Sequence, residues 1–331
     1  MRRLKILTWP VHGNYQWYLS QVPHDFYLPV RVSGECGYGG RGNTFPFGEN
    51  VHDVPADEVQ DREFDCILFQ TRRHYEADQF TVLSPAQRRL PRIYLEHDPP
   101  QQHPTNTKHW AADPNVLLVH VTPFNALMWD SGPAPTRVIE HGVLVPETVR
   151  YTGRKNRGIV VINQLRARGR RLGADVFESA REQVPLDLVG MAAEEMGGIG
   201  EIEPIQLPSF IAQYRFFFNP IRYTSLGLAV IEAMTIGMPI VGLATTEMAT
   251  AVQNGVSGFV DTDVQKLVNS MRLLLDNPRE AGRLGSNARS YALERFNIHR
   301  FVRDWEQTFA DVTMSAMRRR PAATPLQGAV A

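Results

Sequence analysis

Short apolar runs alternate with segments of helical periodicity along the whole chain, and this alternation most constrains the fold. In the first half, apolar runs predict strands near residues 5–9, 65–70, 92–96, 117–122 and 136–140. Residues 31–61 are rich in Gly, Asn and Pro and are interpreted as long loops. Strands that alternate with helices favour an α/β architecture, in which helices cover a parallel sheet.

The second half repeats this pattern after a polar stretch at residues 149–158, which we interpret as a domain linker. Strands are expected near residues 159–162, 186–189, 216–219, 238–243 and 258–260, and helices from about residues 225, 246, 264, 278 and 299. We therefore expect an N-terminal domain at 1–148 and a C-terminal domain at 149–317, whose last helix packs back on the first domain. Residues 318–331 are expected to form a disordered tail.

Composition and charge are those of a globular protein. The 331 residues suit two domains, and 35 basic residues balance 35 acidic ones. This balance argues against a nucleic-acid partner. No run approaches the ~18 apolar residues of a membrane span, which leaves peripheral contact with a membrane surface open. Cys36 and Cys66 could form a disulfide, but Cys66 lies in an apolar run, so reduced thiols and a cytoplasmic location are expected.

Glu232 is the single charge in an apolar or small-residue stretch at 226–246. A buried carboxylate needs hydrogen-bond donors, because its desolvation is costly. Two interpretations stay open. The carboxylate accepts two hydroxyls of a ligand such as a ribose, or it turns to solvent or pairs with a cation.

The segment before this stretch suits a helix start near an anion. Thr224 or Ser225 can cap the predicted helix, and Gly227 lets the backbone approach a ligand closely. Unpaired N–H groups and the helix dipole at such a start favour an anion such as a diphosphate. Any capped helix has these properties, so the pattern alone does not establish a site.

A cluster of arginines follows the first strand of the second half, and it includes Arg166 and Arg168. Arginines at the carboxyl end of a strand suit phosphate recognition in an open α/β sheet. The alternatives are a solvated basic turn and an RNA contact. A short cluster in a neutral protein fits one phosphate group better than an extended duplex.

Two loops of the first half also follow predicted strands. Gly13 suits a tight strand-to-helix turn, but the further glycines of a dinucleotide fingerprint are missing, which disfavours NAD. His97 precedes Asp98 at a strand end, where it could orient an acceptor hydroxyl or a phosphate, with Asp98 tuning its pKa. The alternative is a polar pair that merely ends the strand. His103 and His109 lie nearby without metal-ligand spacing, so no metal site is expected.

The second half resembles the retaining glycosyltransferases of the GT-B fold, in particular glycosyltransferase family 4 (glycosyltransferase group 1). The resemblance rests on Asn219-Pro220, Gly227-Leu-Ala-Val-Ile-Glu232-Ala-Met, Gly237-Met-Pro-Ile-Val-Gly242 and Asn254-Gly255-Val-Ser-Gly258. It covers residues from about 216 to 309, and the first half matches more loosely. The resemblance implies two Rossmann-like domains facing a cleft that binds a nucleotide-activated sugar.

The resemblance also implies site residues. Glu232 corresponds to the second glutamate of the family's pair and would bind the donor ribose, while the arginines would hold the diphosphate. The expected donor-binding residues are Gly13, Arg166, Arg168, Ser225, Leu226, Gly227 and Glu232, and the expected catalytic residues are His97 and Thr224. Arginines and helix dipoles neutralise the leaving diphosphate in such enzymes, so neither a metal nor another cofactor is expected beside the nucleotide-sugar co-substrate.

One position departs from the family pattern. The first glutamate of the pair would stand eight positions before Glu232, where this chain has Thr224. A hydroxyl can hydrogen-bond a sugar but cannot supply a carboxylate's charge. Ala249 and Thr250 likewise stand where the family has Pro-Glu.

Three functions remain in competition. The leading one is a hexosyltransferase that moves a sugar from a nucleotide-diphosphate donor to a hydroxyl of a sugar, lipid or small-molecule acceptor, with retention of anomeric configuration. Thr224 motivates a second, a non-catalytic nucleotide-sugar-binding partner of another glycosyltransferase. The third is a hydrolysing sugar epimerase of the same two-domain form.

Overall fold

Two parallel sheets with their helices organise the chain. The computed structural model describes residues 2–319, so most of the predicted tail, residues 320–331, lies outside the described residues. The N-terminal domain contains β1 (Lys5–Thr8), α1 (Gly13–Leu19), β2 (Asp25–Val30), β3 (Val51–Pro55), β4 (Cys66–Phe69), α2 (Gln79–Val82), β5 (Arg92–Glu96), β6 (Val116–His120), α3 (Pro123–Met128) and β7 (Thr136–Val138).

The C-terminal domain follows with the same alternation. It contains β8 (Lys155–Val161), α4 (Leu165–Arg168), α5 (Ala174–Arg181), β9 (Leu186–Val189), α6 (Leu207–Ile211), β10 (Tyr214–Asn219), α7 (Leu228–Ile236), β11 (Ile240–Leu243), α8 (Met248–Ala251), β12 (Gly258–Asp261), α9 (Val264–Asp276) and α10 (Pro278–Arg295). The last helix, α11 (Ile298–Arg319), ends the described chain.

Both sheets have the doubly wound order of Rossmann-like domains. The strand order is β3-β2-β1-β4-β5-β6-β7 in the first sheet and β12-β11-β10-β8-β9 in the second, with parallel pairing throughout. The winding direction therefore reverses beside β1 in the first sheet and beside β8 in the second. Open α/β sheets bind ligands at the carboxyl ends of the strands at such reversal points.

Two strands of the first sheet escaped the sequence analysis. β3 lies inside the segment that was interpreted as loops, and that interpretation was wrong there. β2 was not assigned, and it contains Pro29, a residue that argues against a central strand. Pro29 is tolerated because β1 pairs only with Asp25 to Tyr27, so at Pro29 the strand is paired on one side alone.

The predicted linker was too long, because β8 begins at Lys155 and not at residue 159. The polar residues at the start of this strand are held by neighbouring strands. Arg157 forms an ion pair of 2.7 Å with Asp187 of β9, and the Lys155 ammonium lies 4.5 Å from the centre of the Tyr214 ring. These cross-strand contacts extend a strand whose first residues look like a loop in the sequence.

The long C-terminal helices follow their predicted positions because caps define their ends. The Asp263 side chain accepts hydrogen bonds at the start of α9, and Asn277 does the same before Pro278 at the start of α10. Helix α11 reaches the N-terminal domain, where Trp305 donates to the Tyr15 hydroxyl (3.2 Å) and Asp311 pairs with Arg137 (2.8 Å). The chain therefore crosses back to the first sheet.

Candidate active site

The loops at the carboxyl ends of the two sheets meet face to face. Thr224 Oγ1, after β10, donates to Asp98 Oδ1, after β5, at 3.0 Å. Asn125 Nδ2 of α3 donates to Ser225 Oγ at 3.3 Å. The Phe124 amide donates to Glu247 Oε2 after β11 at 3.1 Å. A cleft between the domains thus lies where ligands bind in parallel sheets.

His97 faces this cleft as a neutral imidazole. Its Nε2 lies 3.0 Å from Gln70 Oε1, and its ring meets the rings of His12 and Tyr15 edge-on at 4.6 and 4.9 Å. Burial, followed by the nearby His12 and His141, lowers the pKa of His97 well below its usual value. Its orientation comes from Gln70 and not from Asp98, whose hydrogen bonds go elsewhere, so the expected tuning by Asp98 does not describe this geometry.

The predicted capping role of Thr224 and Ser225 is wrong. Helix α7 begins at Leu228, its cap position is Gly227, and no side chain caps it. Both hydroxyls instead reach across the cleft to Asp98 and Asn125, respectively. Gly227 itself has open space where a Cβ would stand, so a ligand can approach the backbone there.

Leu226 and Gly13 occupy less open positions. The Leu226 side chain is buried. Gly13 begins α1 with φ outside the left-handed region, so the turn does not demand glycine, but a Cβ there would overlap the Phe45 ring. Phe45 stacks on Trp17 of the same helix at 5.9 Å. Glycine is therefore required at position 13 by a packed aromatic and not by the backbone conformation.

The arginines of the turn at residues 166–171 differ in whether they form ion pairs with acidic residues. Arg170 and Arg222 both bind Asp175, at 2.6 and 2.5 Å. Within residues 2–319, Arg166 and Arg168 have no acidic partner and are exposed. The charge of Arg168 acts on groups of the cleft.

The pKa of His12 depends on the charge of Arg168. Burial lowers the pKa of His12, the Asp98 carboxylate opposes the shift, and the Arg168 guanidinium adds to it. The Arg168 charge is therefore coupled electrostatically to His12 and to Asp98. Asp98 and Thr224 thus meet across the cleft beside His97, and the Arg168 charge acts on the same groups. The roles of Arg166 and Arg168 in donor binding stay predictions.

Glu232 lies on the same cleft wall in a closed environment. Its Oε1 accepts a hydrogen bond from the Tyr18 hydroxyl at 2.6 Å and from Asn14 Nδ2 at 3.3 Å, both from α1 of the other domain. The side chain is buried, and burial raises its pKa despite these donors. Of the two interpretations of this residue, the one with a solvent-facing or cation-paired carboxylate is wrong. Its ribose contact stays a prediction.

Sequence reasoning missed several residues that the fold brings to the cleft. Glu247 is buried and binds Arg295 at 2.8 Å, and Arg295 also binds Glu140 of the N-terminal domain at 2.5 Å. Behind Asp98, the Glu96 carboxyl lies 3.0 Å from His109 Nε2, and burial raises the pKa of Glu96 to about 8. The available signal for Glu96 was a carboxylate directly after the apolar residues Ile93, Tyr94 and Leu95 of β5.

Three further features of the described residues bear on function: metal ligation, membrane spanning and a second groove. In residues 2–319, no three His, Cys, Asp or Glu side chains are arranged to hold a metal ion. Over the same residues, no helix is both long and apolar enough to cross a membrane. A groove of about 1140 Å³ lined by Arg89, Leu90 and Pro135 lies at the amino-terminal edge of the first sheet, away from the cleft.

Solved structures of glycosyltransferases share this architecture. Sucrose-phosphate synthase from Thermosynechococcus elongatus superposes with a TM-score of 0.71 and 14% identity, covering 95% of this chain and 100% of the other. HepE from Anabaena in complex with UDP-glucose gives 0.65 and 16%, covering 93% and 100%. The chain has the GT-B fold. This confirms the predicted fold of two Rossmann-like domains.

Sequence comparison adds a family match over part of the chain. Residues 193–291 match the family model described as glycosyl transferases group 1. This confirms the resemblance over the segment that contains Thr224, Gly227 and Glu232. No curated protein matches the chain in sequence. AviGT4, described as a glycosyltransferase involved in avilamycin A biosynthesis, is another structural neighbour, with a TM-score of 0.61, 14% identity and coverage of 94% and 98%.

Proposed function

We propose that this GT-B protein is a hexosyltransferase, which moves a sugar from a nucleoside-diphosphate sugar to an acceptor hydroxyl with retention of configuration. The observation that carries the proposal is the contact of Asp98 with Thr224 across the interdomain cleft, beside His97 and within the electrostatic reach of Arg168. Arg168 has no ion-pair partner among the described residues and would neutralise the departing diphosphate. The match of residues 193–291 to group 1 glycosyltransferases supports the same activity.

The cleft also suits the acceptor side of the reaction. His97 is neutral and held by Gln70, so it would hydrogen-bond an acceptor hydroxyl or a sugar hydroxyl without adding charge. Charge neutralisation by arginine would make the reaction independent of a divalent metal. The HepE structures contain UDP and UDP-glucose, which makes a uridine donor the first to try.

The experiment is a transfer assay with purified protein, UDP-glucose, GDP-mannose or ADP-glucose, and a panel of sugar and lipid acceptors, in Mg²⁺ or in EDTA. We expect acceptor-dependent release of one nucleoside diphosphate, unchanged by EDTA, and NMR of the product should show the donor's anomeric configuration. Free sugar released without an acceptor would instead identify an epimerase. Donor binding without any release would identify the non-catalytic partner that Thr224 motivates.

A further inference from the structure

The cleft contains a second carboxylate in an unusual setting. Asp98 belongs to the N-terminal domain and reaches Thr224 of the C-terminal domain across 126 residues of sequence. The Thr224 hydroxyl donates to Oδ1 alone, at 3.0 Å. Among the residues that the structure describes, none donates to Oδ2, and the Asp98 side chain is only half-buried. One carboxylate oxygen is thus anchored and the other is open to the cleft.

The backbone around Asp98 fixes this side chain from behind. The Asp98 amide donates to Glu96 Oε1 at 2.9 Å, and the Trp129 indole donates to the Asp98 carbonyl at 2.8 Å. Pro99 follows and is buried. These contacts hold the loop on the first sheet even without Thr224, so the position of Asp98 does not depend on the domain contact alone.

The neighbours of Asp98 define what its open oxygen can bind. Arg168 provides positive charge at the carboxyl end of the second sheet, and the charges of Asp98 and Arg168 act in opposite directions on the pKa of His12. A diphosphate held by Arg168 would be repelled by a carboxylate, so Asp98 suits the uncharged part of the donor. A carboxylate oxygen accepts hydrogen bonds, and the hydroxyls of a sugar are the donors that such a ligand offers.

We propose that Asp98 binds the transferred sugar of the donor and supplies, from the opposite domain, the carboxylate that position 224 lacks. Thr224 anchors Oδ1, and Oδ2 accepts a hydroxyl of the sugar. The inference rests on the proposed function, since it assumes a nucleotide-sugar donor in the cleft. As the bond to the diphosphate breaks, the sugar ring gains positive charge, and a carboxylate fixed beside it lowers the energy of that state.

The test compares binding of a nucleoside diphosphate with binding of its sugar conjugate. UDP, GDP and ADP and their conjugates UDP-glucose, GDP-mannose and ADP-glucose are titrated calorimetrically into the wild type, Asp98→Asn, Thr224→Val and the double variant Asp98→Asn/Thr224→Glu. Asp61→Asn is the charge-matched control, because Asp61 is exposed and precedes β4 at the other edge of the same sheet. Circular dichroism confirms that each variant folds.

We expect Asp98→Asn to leave binding of the nucleoside diphosphate unchanged and to weaken binding of its sugar conjugate about tenfold, the range of one charged hydrogen bond. Turnover should fall further, by about 100-fold. Thr224→Val, which only loses the anchor, should weaken the conjugate about threefold. The double variant returns a carboxylate to the cleft from the other side and should recover part of the loss.

Three outcomes overturn the proposal and are distinguishable. If the wild type prefers a sugar conjugate and turns it over, but Asp98→Asn does the same, Asp98 does not bind the sugar while the proposed function stands. If the wild type binds none of the six ligands, the proposed function fails together with the inference. Equal loss of both diphosphate and conjugate in Asp98→Asn would also overturn it, because the residue would then act on the whole cleft.

Discussion

Glu232 and Asp98 are two carboxylates on one cleft, and they differ in how fully the protein satisfies them. Glu232 is buried and accepts two hydrogen bonds from α1. Asp98 is half-buried and accepts one, from Thr224. All three hydrogen bonds cross between the domains. The Glu232 carboxylate therefore joins the domains in this conformation through two hydrogen bonds. The Asp98 carboxylate accepts only one and can still accept a hydrogen bond from a ligand.

The comparison separates two roles that the sequence cannot separate. An isolated charge in an apolar run predicts a satisfied carboxylate, and Glu232 is satisfied by the protein itself. If a ribose binds Glu232, it competes with Tyr18 and Asn14, or the domains move apart first. Asp98, in contrast, has an oxygen that accepts no hydrogen bond from the described residues, so a hydroxyl bound there would break no contact of the described structure.

Acid should have the largest effect on stability, and it should act through buried histidines of the N-terminal domain. Burial lowers the pKa of His109 to about 3 and of His120 and His141 to about 4, so each stays neutral when folded and binds a proton below about pH 6.5 only when unfolded. Each then removes up to about 1.4 kcal/mol of stability per pH unit as pH falls. Glu96 offsets one of them, because its raised pKa favours the folded state as pH falls from about 8.

We expect the free energy of unfolding to fall by about 4 kcal/mol between pH 7 and 5, measured by urea denaturation. His120→Leu removes one buried ring whose two nitrogens lack partners among the described residues, and it should reduce this pH dependence by about one proton. His103→Gln, at an exposed position, is the control and should leave it unchanged. A stability that is flat over this range would show that the buried rings titrate normally.

The sequence predicted the sheets better than it predicted the cleft. Apolar runs such as Cys66–Phe69 predict the central strands directly. Strands β2 and β3 were not predicted, because β2 contains Pro29 and β3 lies in a segment rich in turn-forming residues. The bond between Asp98 and Thr224 depends on how two domains meet. No local pattern in either loop encodes that placement, although the Asp98 loop was interpreted as a strand end and the Thr224 loop as a helix start.

Arg168 and Arg170 form a matched pair for testing the diphosphate site. They lie on the same turn, but Arg170 is already paired with Asp175. Arg168→Ala should slow sugar transfer about 100-fold, equivalent to about 2.7 kcal/mol of transition-state stabilisation, since the departing diphosphate loses a cation. Arg170→Ala should stay within twofold of the wild type. The measurement is kcat/KM with the preferred donor. Equal losses in the two variants would place the diphosphate elsewhere, or would mean that the turn acts as a diffuse basic surface.

The smallest expected effect comes from removing one of the two hydrogen bonds that Glu232 accepts, which leaves this carboxylate more available to a ligand. Tyr18→Phe removes the 2.6 Å hydrogen bond to Glu232 and should cost about 1 kcal/mol of stability, measured by denaturation. If Glu232 binds the donor ribose, the released oxygen should raise affinity for the preferred nucleoside diphosphate about threefold. Affinity for its 2′,3′-dideoxy analogue should not change, because that ligand has no ribose hydroxyl to donate.

Tyr15→Phe is the matched control for this last variant. Tyr15 also lies on α1, and its hydroxyl accepts from Trp305 of α11 and makes no bond to Glu232. Loss of that hydroxyl should lower stability without altering the preference between the two nucleotides. If Tyr18→Phe behaves in the same way, Glu232 only holds α1 against α7. Asp98 would then be the cleft carboxylate that remains for a ligand.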